Sequence, residues 1–364
     1  MVGLQWVAEK ANTMLPLIRH PDVHSPWKKW AEDQTLHLAV VYANPFRWET
    51  RRRLFNNFLD HIAGCPNITL YVGEVAYGDR PYEVTESGNS LHVQCRTNSV
   101  LWGKENLVDV VTACFPEGWK YGGYSDGDFA YTRKDFGLEA VQLLQLHQMV
   151  QLYSSYTTLS HHHRPTRLCS SFAWNYLHRR ELYKGHGQCK GHGKGHGKGN
   201  HQWCSGYPSA LGAPGGGWAY RSSAYDAVGG MIDKCILGSA DLYMAKGLIQ
   251  QFDAARELRA GYTPAYVRMI EQWQQQAKVL TKNIGCVNQH AIHHFHGSYK
   301  LRGYGDRWHI LRNHQFDPDL DVSYDRNGIL RLNGNKPDLR DDIRAYFSSR
   351  CEDNLQLDGK TEMI

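Results

Sequence analysis

Apolar residues gather in short blocks along the first 160 positions, and the blocks alternate between two spacings. Leu36–Ala43, LHLAVVYA, is a continuous apolar run closed by Asn44-Pro45, as expected of a buried strand. Residues 50–62 follow with Leu54, Phe55, Phe58, Leu59 and Ile62 at helical spacing and arginines on the other face. Residues 68–75 and 91–95 predict two further strands, and 104–114 an amphipathic helix through Leu107, Val110, Val111 and Cys114. A strand over 121–128, a helix over 138–148 and a strand over 149–156 complete the series. Strand–helix alternation of this kind predicts an α/β fold with crossover helices flanking a central sheet.

The texture changes after 157. His161-His162-His163 opens a polar stretch, and residues 185–199 repeat Gly-His-Gly-Lys. Glycine at that density cannot form a packed core, so a mobile loop or insertion over about 161–214 is expected. Order is expected to return at Gly215-Gly216-Gly217-Trp218. Helices over 239–250 and 263–282 come next, the second with Thr263 as N-cap and Pro264 at its first position. Residues 311–364 alternate Asp and Arg around aromatic residues and predict a capping extension, while 1–35 lack periodicity and predict an outer wrap. The main domain is thus expected over 36–310.

Composition narrows the class. A hydrophobic content of 41% with 21% charge is ordinary for a globular chain. No stretch approaches the roughly 20 apolar residues of a membrane span, and the first 20 residues lack the apolar run of a signal peptide. A soluble, cytoplasmic protein with no membrane partner is the expectation; the oligomeric state is not legible. Nine scattered cysteines, an odd number, argue against a disulfide framework. The net charge of +5 is local: residues 161–200 carry eight Lys or Arg against Glu181 alone, +7, leaving the remainder at −2.

Candidate chemistry starts at Tyr121-Gly122-Gly123-Tyr124-Ser125-Asp126-Gly127-Asp128. Two carboxylates at a strand's carboxyl end, with a glycine that lets the backbone bend, suit convergence on one hard divalent cation. A surface Asp-Gly-Asp turn is the alternative. Histidines recur over 290–296; on a strand His294 and His296 share one face, where either completes a metal site with Asp126 and Asp128. Lys300 and Arg302 follow, placed to neutralise phosphate. The competing reading is a histidine-rich polar loop. A third cluster, Val228-Gly229-Gly230-Met231-Ile232-Asp233 followed by Gly238-Ser239-Ala240-Asp241, offers Asp241 either as a helix N-cap or as a base.

Taken in this order, Asp-Gly-Asp, Gly-Gly-Gly-Trp-Ala, Val-Gly-Gly-Met-Ile-Asp and Gly-Ser-Ala-Asp resemble glycosyltransferases of the GT-A fold, over roughly residues 36–310 less the insertion. The resemblance implies a Rossmann-type central sheet, an Mn²⁺ or Mg²⁺ ion held by the Asp126/Asp128 motif, and a nucleotide-sugar donor, a UDP-sugar first among them. It implies Asp241 as the base that deprotonates the acceptor in an inverting reaction. His294-x-x-Gly297-x-x-Lys300 is similar to the His-Gly-Lys motif of glycogenin-like enzymes, which are retaining, and Ala240 stands where many inverting relatives carry an acid. Both stereochemical outcomes therefore stand, with Asp241 favouring inversion. Trp102-Gly103-Lys104-Glu105-Asn106 is similar to a pattern of uncharacterised, partly viral members of the fold; a viral chain would work in the host cytoplasm. The fold places Tyr42, Asn44, Glu74, Arg96, Lys104, Asn106, Gly216 and Gly217 in segments lining the nucleotide crevice.

The basic segment adds two expectations. Cys189, His192, His201 and Cys204 have zinc-knuckle spacing, with a flexible repeat as the alternative. A +7 segment beside a transferase crevice suggests a polyanionic acceptor, namely DNA carrying 5-hydroxymethylpyrimidines, flipped out or single-stranded, as in phage-encoded base glucosylation. Glycan or protein acceptors are the alternative. A metal-dependent phosphoesterase and a non-catalytic nucleic-acid-binding protein are rival classes.

Overall fold

The computed structural model describes residues 33–178, 211–298, 301–303 and 305–354. The sequence-predicted zinc residues Cys189, His192, His201 and Cys204, and the phosphate candidate Lys300, lie outside the described residues. The seven described cysteines are free, and no described helix is long and apolar enough to cross a membrane.

The leading apolar run forms β1 (Leu36–Ala43), which pairs in parallel with β2 (Ile68–Tyr77) on one side and β4 (Tyr121–Ser125) on the other. A strand flanked on both edges and covered on both faces has no polar side, which explains the unbroken run. β3 (His92–Thr97), β6 (Met149–Gln151), β9 (Gly217–Arg221) and β10 (Ile284–Cys286) complete a seven-stranded sheet in the order β10-β6-β9-β4-β1-β2-β3. All pairings are parallel except those of β9, which runs antiparallel to both β4 and β6. The sheet is flanked by helices. α1 (Glu49–Ala63) buries Leu54, Phe55, Phe58 and Ile62, and α2 (Lys104–Thr112) buries Leu107, Val108 and Val111. From β1 the chain builds outward to β2 and β3, then returns to the opposite edge of β1 as β4. The crevice at the carboxyl ends of β1 and β4 is therefore a topological switch point, where sheets of this kind hold ligands.

A second sheet, in the order β5-β11-β7-β8, is built from β5 (Phe129–Tyr131), β7 (Ser155–Leu159), β8 (Pro165–Ser170) and β11 (His290–His293). The run 149–156 reads as one strand in the sequence but serves both sheets. Leu152 N–H still bonds Gly217 of the large sheet (3.1 Å), whereas Ser154 N–H bonds Gln289 beside the small one (2.9 Å). The predicted strand 121–128 likewise stops at Ser125, and β5 starts after the Asp126–Asp128 turn.

Further on come α3 (Phe136–Leu144), α4 (Phe172–His178), α5 (Ser222–Val228), α6 (Ala240–Leu248), α7 (Ala254–Arg259) and α8 (Pro264–Gln276). α8 begins as the sequence predicts: Thr263 Oγ1 accepts from Tyr266 N–H (3.3 Å) and Pro264 takes the first turn. Its run then tightens into a 3₁₀ turn at Ala277–Leu280. The chain continues through α9 (Asp306–Asn313), the hairpin β12 (Val322–Tyr324)–β13 (Leu330–Leu332) and α10 (Pro337–Ser348). Leu339, Ile343 and Phe347 of α10 join the same apolar core as Tyr243 and Tyr266. Residues 350–354 then reach α1: Asp353 accepts from Glu49 and Thr50 N–H (2.9 and 2.7 Å), capping a helix whose own N-cap, Trp48, has no side-chain acceptor.

Candidate functional site

The switch-point crevice opens into a cavity of about 250 Å³ lined by Tyr42, Lys104, Asp126, Asp128 and Asp241, among others. The two aspartates of the Asp-Gly-Asp turn do different work. Asp126 Oδ1 receives Lys104 Nζ (3.0 Å), and its Oδ2 receives Gly216 N–H (3.2 Å), at a glycine whose φ is +90°. Asp128 turns the other way, 3.0 Å from His296 Nε2 and 3.5 Å from His293 Nε2. The expected convergence of both carboxylates on one cation gives way to this division. Gly127 serves close approach, since a Cβ there would stand 2.6 Å from the Phe55 ring.

Asp128, His293 and His296 place one ligand atom each within 4.8 Å of one another. Asp128 Oδ1 is buried and makes no hydrogen bond in the protein. An uncompensated buried carboxylate oxygen beside two imidazole nitrogens is a donor set that fits a divalent ion. Burial, with the Arg302 guanidinium next, pushes His296 down to about 4. Burial works to raise the Asp128 carboxyl, but the imidazoles hold it well below the usual range. Neutral His296 facing ionised Asp128 is the state we assign at neutral pH, and it is the one metal ligation requires.

His293 takes the place the sequence gives to His294. β11 ends at His293, which pairs in register with Phe129, the residue after Asp128. Beyond it the strand alternation lapses and His296, three residues on, swings back to meet it at 3.2 Å. His294 contributes its backbone N–H to Asp128 O (3.0 Å), and its side chain is outside the cluster.

Lys104 lies between Asp126 and Glu105 (3.6 Å). Burial opposes its charge, but the two carboxylates raise its pKa well above the lysine value. Asp241 sits in the first turn of α6; its Oδ1 accepts Leu242 N–H (2.8 Å), and its Oδ2 would collide with a side chain at Gly215, 2.7 Å from the Cβ position. Arg302, Arg307 and Arg350 also line the cavity. Arg350 approaches the Trp102 ring at 5.8 Å and shares buried Glu352 (3.2 Å) with Arg51 (2.5 Å).

Other predicted residues are structural or peripheral. Glu74 is fully engaged by the N–H groups of Glu83, Val84 and Thr85 and by Thr85 Oγ1, so it anchors a loop and does not line the cavity. Arg96 donates to Gly78 and Arg80 carbonyls on the surface. Asn44 holds Trp48 N–H (2.9 Å) and Tyr42 Oη, while Tyr42 reaches Glu83 (2.5 Å). Asn106 lines the cavity and ties Gly328 and Leu330 of the C-terminal hairpin to α2. Gly217 begins β9, opposite Ser125. Arg51, Glu105, His293, Arg307, Arg350 and Glu352 are not site candidates in the sequence; His293, inside the histidine run, and Glu105, inside the Trp102–Asn106 pattern, carry a signal.

No protein-family model and no curated protein matches the chain. Among solved structures it is similar to a Desulfovibrio desulfuricans G20 protein proposed to be a nucleotide-diphospho-sugar transferase, with 8% identity, 71% of this chain and 81% of that chain covered, and a TM-score of 0.29. A likeness at that level carries no argument about this chain. The chain itself is an α/β protein whose switch-point crevice holds an Asp-His-His cluster.

Proposed function

We propose that this chain is a metal-dependent glycosyltransferase that moves a sugar from a nucleoside-diphosphate donor to an acceptor hydroxyl. The observation that carries the reading is the Asp128–His293–His296 cluster, set in one cavity with Asp241 and three buried arginines. Asp128, His293 and His296 would hold a divalent ion, whose chemistry when bound is to offset charge on a leaving diphosphate. Arg302, Arg307 and Arg350 supply further positive charge for the same oxygens. Asp241 takes the acceptor's hydroxyl proton as the acceptor oxygen bonds the anomeric carbon and the anomeric carbon–phosphate oxygen bond breaks. Asp126, fixed by Lys104 and Gly216, positions the β4 turn.

The test is release of nucleoside diphosphate from a panel of nucleotide sugars with Mn²⁺ or Mg²⁺. Asp241→Asn should lower kcat by about 10²–10⁴-fold with donor affinity kept. Phosphodiester cleavage without consumption of any nucleotide sugar would replace this reading with a phosphoesterase. For the acceptor we propose DNA bearing 5-hydroxymethylpyrimidines, on the strength of the +7 segment at 161–200. Transfer to that DNA should fall when residues 185–200 are deleted; transfer to glycans alone would rule the DNA acceptor out.

A further inference from the structure

Glu105 is a carboxylate of the cavity that the scheme above leaves unused and that, unlike Glu352, has no arginine partner among the described residues. It stands in the first turn of α2, where an acidic side chain offsets the helix dipole from the surface as a rule. Here the residue is 2% exposed and faces into the cavity. Oε1 lies 3.6 Å from Lys104 Nζ, an ammonium already held at 3.0 Å by Asp126. Oε2 is buried and accepts no hydrogen bond from the protein. Burying a carboxylate oxygen without a donor is costly, and a helix-terminus role does not require it.

The neighbourhood says what kind of donor belongs there. Glu105 and Asp126 flank one ammonium, and the charges of Asp126 and Asp241 both act on Glu105. Burial first, opposed by Lys104, pushes the Glu105 carboxyl up to about 7. This wall therefore repels phosphate, which belongs with the arginines and the Asp-His-His cluster. A neutral group with hydroxyls fits: a hydroxyl donates to Oε2 without adding charge, and the carboxyl, when protonated, donates in turn.

We propose that Glu105 binds a hydroxyl of the donor's sugar and is a specificity-determining residue of the pocket. The inference rests on the transferase reading and names the part of the donor that meets α2. Its test is isothermal titration with Mn²⁺, comparing UDP with the tightest-binding member of a UDP-sugar panel, in wild type and Glu105→Gln. Glu105→Gln should weaken the UDP-sugar by about tenfold to hundredfold and UDP by less than about threefold. One monodeoxy analogue of that sugar should bind wild type correspondingly weakly and Glu105→Gln with no additional loss. Should Glu105→Gln fail to fold, Glu105→Asp, which withdraws the carboxylate by one methylene, should show the same selective loss. Equal effects on UDP and UDP-sugar, or no deoxy analogue that loses affinity, would overturn the assignment of Glu105 alone. A wild type that binds no nucleotide sugar would overturn the donor reading, and this inference with it.

Discussion

Substituting the histidines of the 293–296 run one at a time separates ligand from bystander. His293→Ala and Asp128→Ala should each weaken Mn²⁺ binding by at least about a hundredfold, and His294→Ala should give the smallest loss of the three, measured by titration of the purified protein. A second residue-scale prediction concerns Asp109, away from the cavity, which accepts from Tyr225 Oη and from Met231 N–H (3.1 Å). Burial dominates and pushes its carboxyl up to about 7, against the hydrogen bonds from Tyr225 and Met231 and with the charge of Asp233. A folded-state pKa raised above the unfolded value near 4 favours folding below about pH 4, and that advantage disappears as pH rises through 7. Asp109→Asn should therefore gain stability relative to wild type between pH 4 and 8, on the order of 4 kcal/mol, in urea unfolding across pH. The Asp126-Gly127-Asp128 turn was legible as a candidate because a glycine between two carboxylates at a strand end lets the backbone bend, but the separate partners of Asp126 and Asp128 were not. Glu74 shows the limit of the same logic: a strand carboxylate reads equally as a site and as a loop anchor, and only its four bonds decide. Glu105 was illegible as a site residue because an acid in a helix's first turn is unremarkable until its burial is known.

At the scale of elements, β1 was legible as an unbroken apolar run closed by Asn44-Pro45, and α1 and α2 because a period near 3.6 reports which face is covered. Strands of three residues, such as β6, β10 and β12, are too short to show a period. The sequence also gives no sign that residues 350–353 belong to α1, some 300 positions away. The contact is consequential for the helix. Asp353→Ala removes its side-chain cap and should cost about 1 kcal/mol. Glu352→Ala should cost about 3 kcal/mol or more, because it strands Arg51, bound through Nε and Nη2 at 3.0 and 2.5 Å, at the edge of the cavity. Burial raises the Glu352 carboxyl, yet Arg51 and Arg350 bring it down to about 2. Its contribution is thus present above about pH 4.5 and lost as pH falls toward 2, so Glu352→Ala should flatten the acid limb of the unfolding curve.

At the scale of the molecule, sheet order brings residues from five separate stretches, near 104, 126, 241, 293 and 302, to one crevice. A ligand bound only by the folded chain stabilises it by mass action. Mn²⁺ at a hundred times its Kd should add about 2.7 kcal/mol to unfolding, and Asp128→Ala should abolish the increment. The strap formed by Arg350, Glu352 and Asp353 has a further consequence, in the order of synthesis. β1, α1 and the Asp126–Asp128 turn leave the ribosome long before the residues that wall the cavity and cap α1. A nascent chain arrested short of residue 350 should hold its sheet but present an uncapped α1, an unpaired Arg51 and an unwalled cavity. Limited proteolysis of such chains should cut near residues 45–52, and those cuts should vanish once residue 353 has emerged.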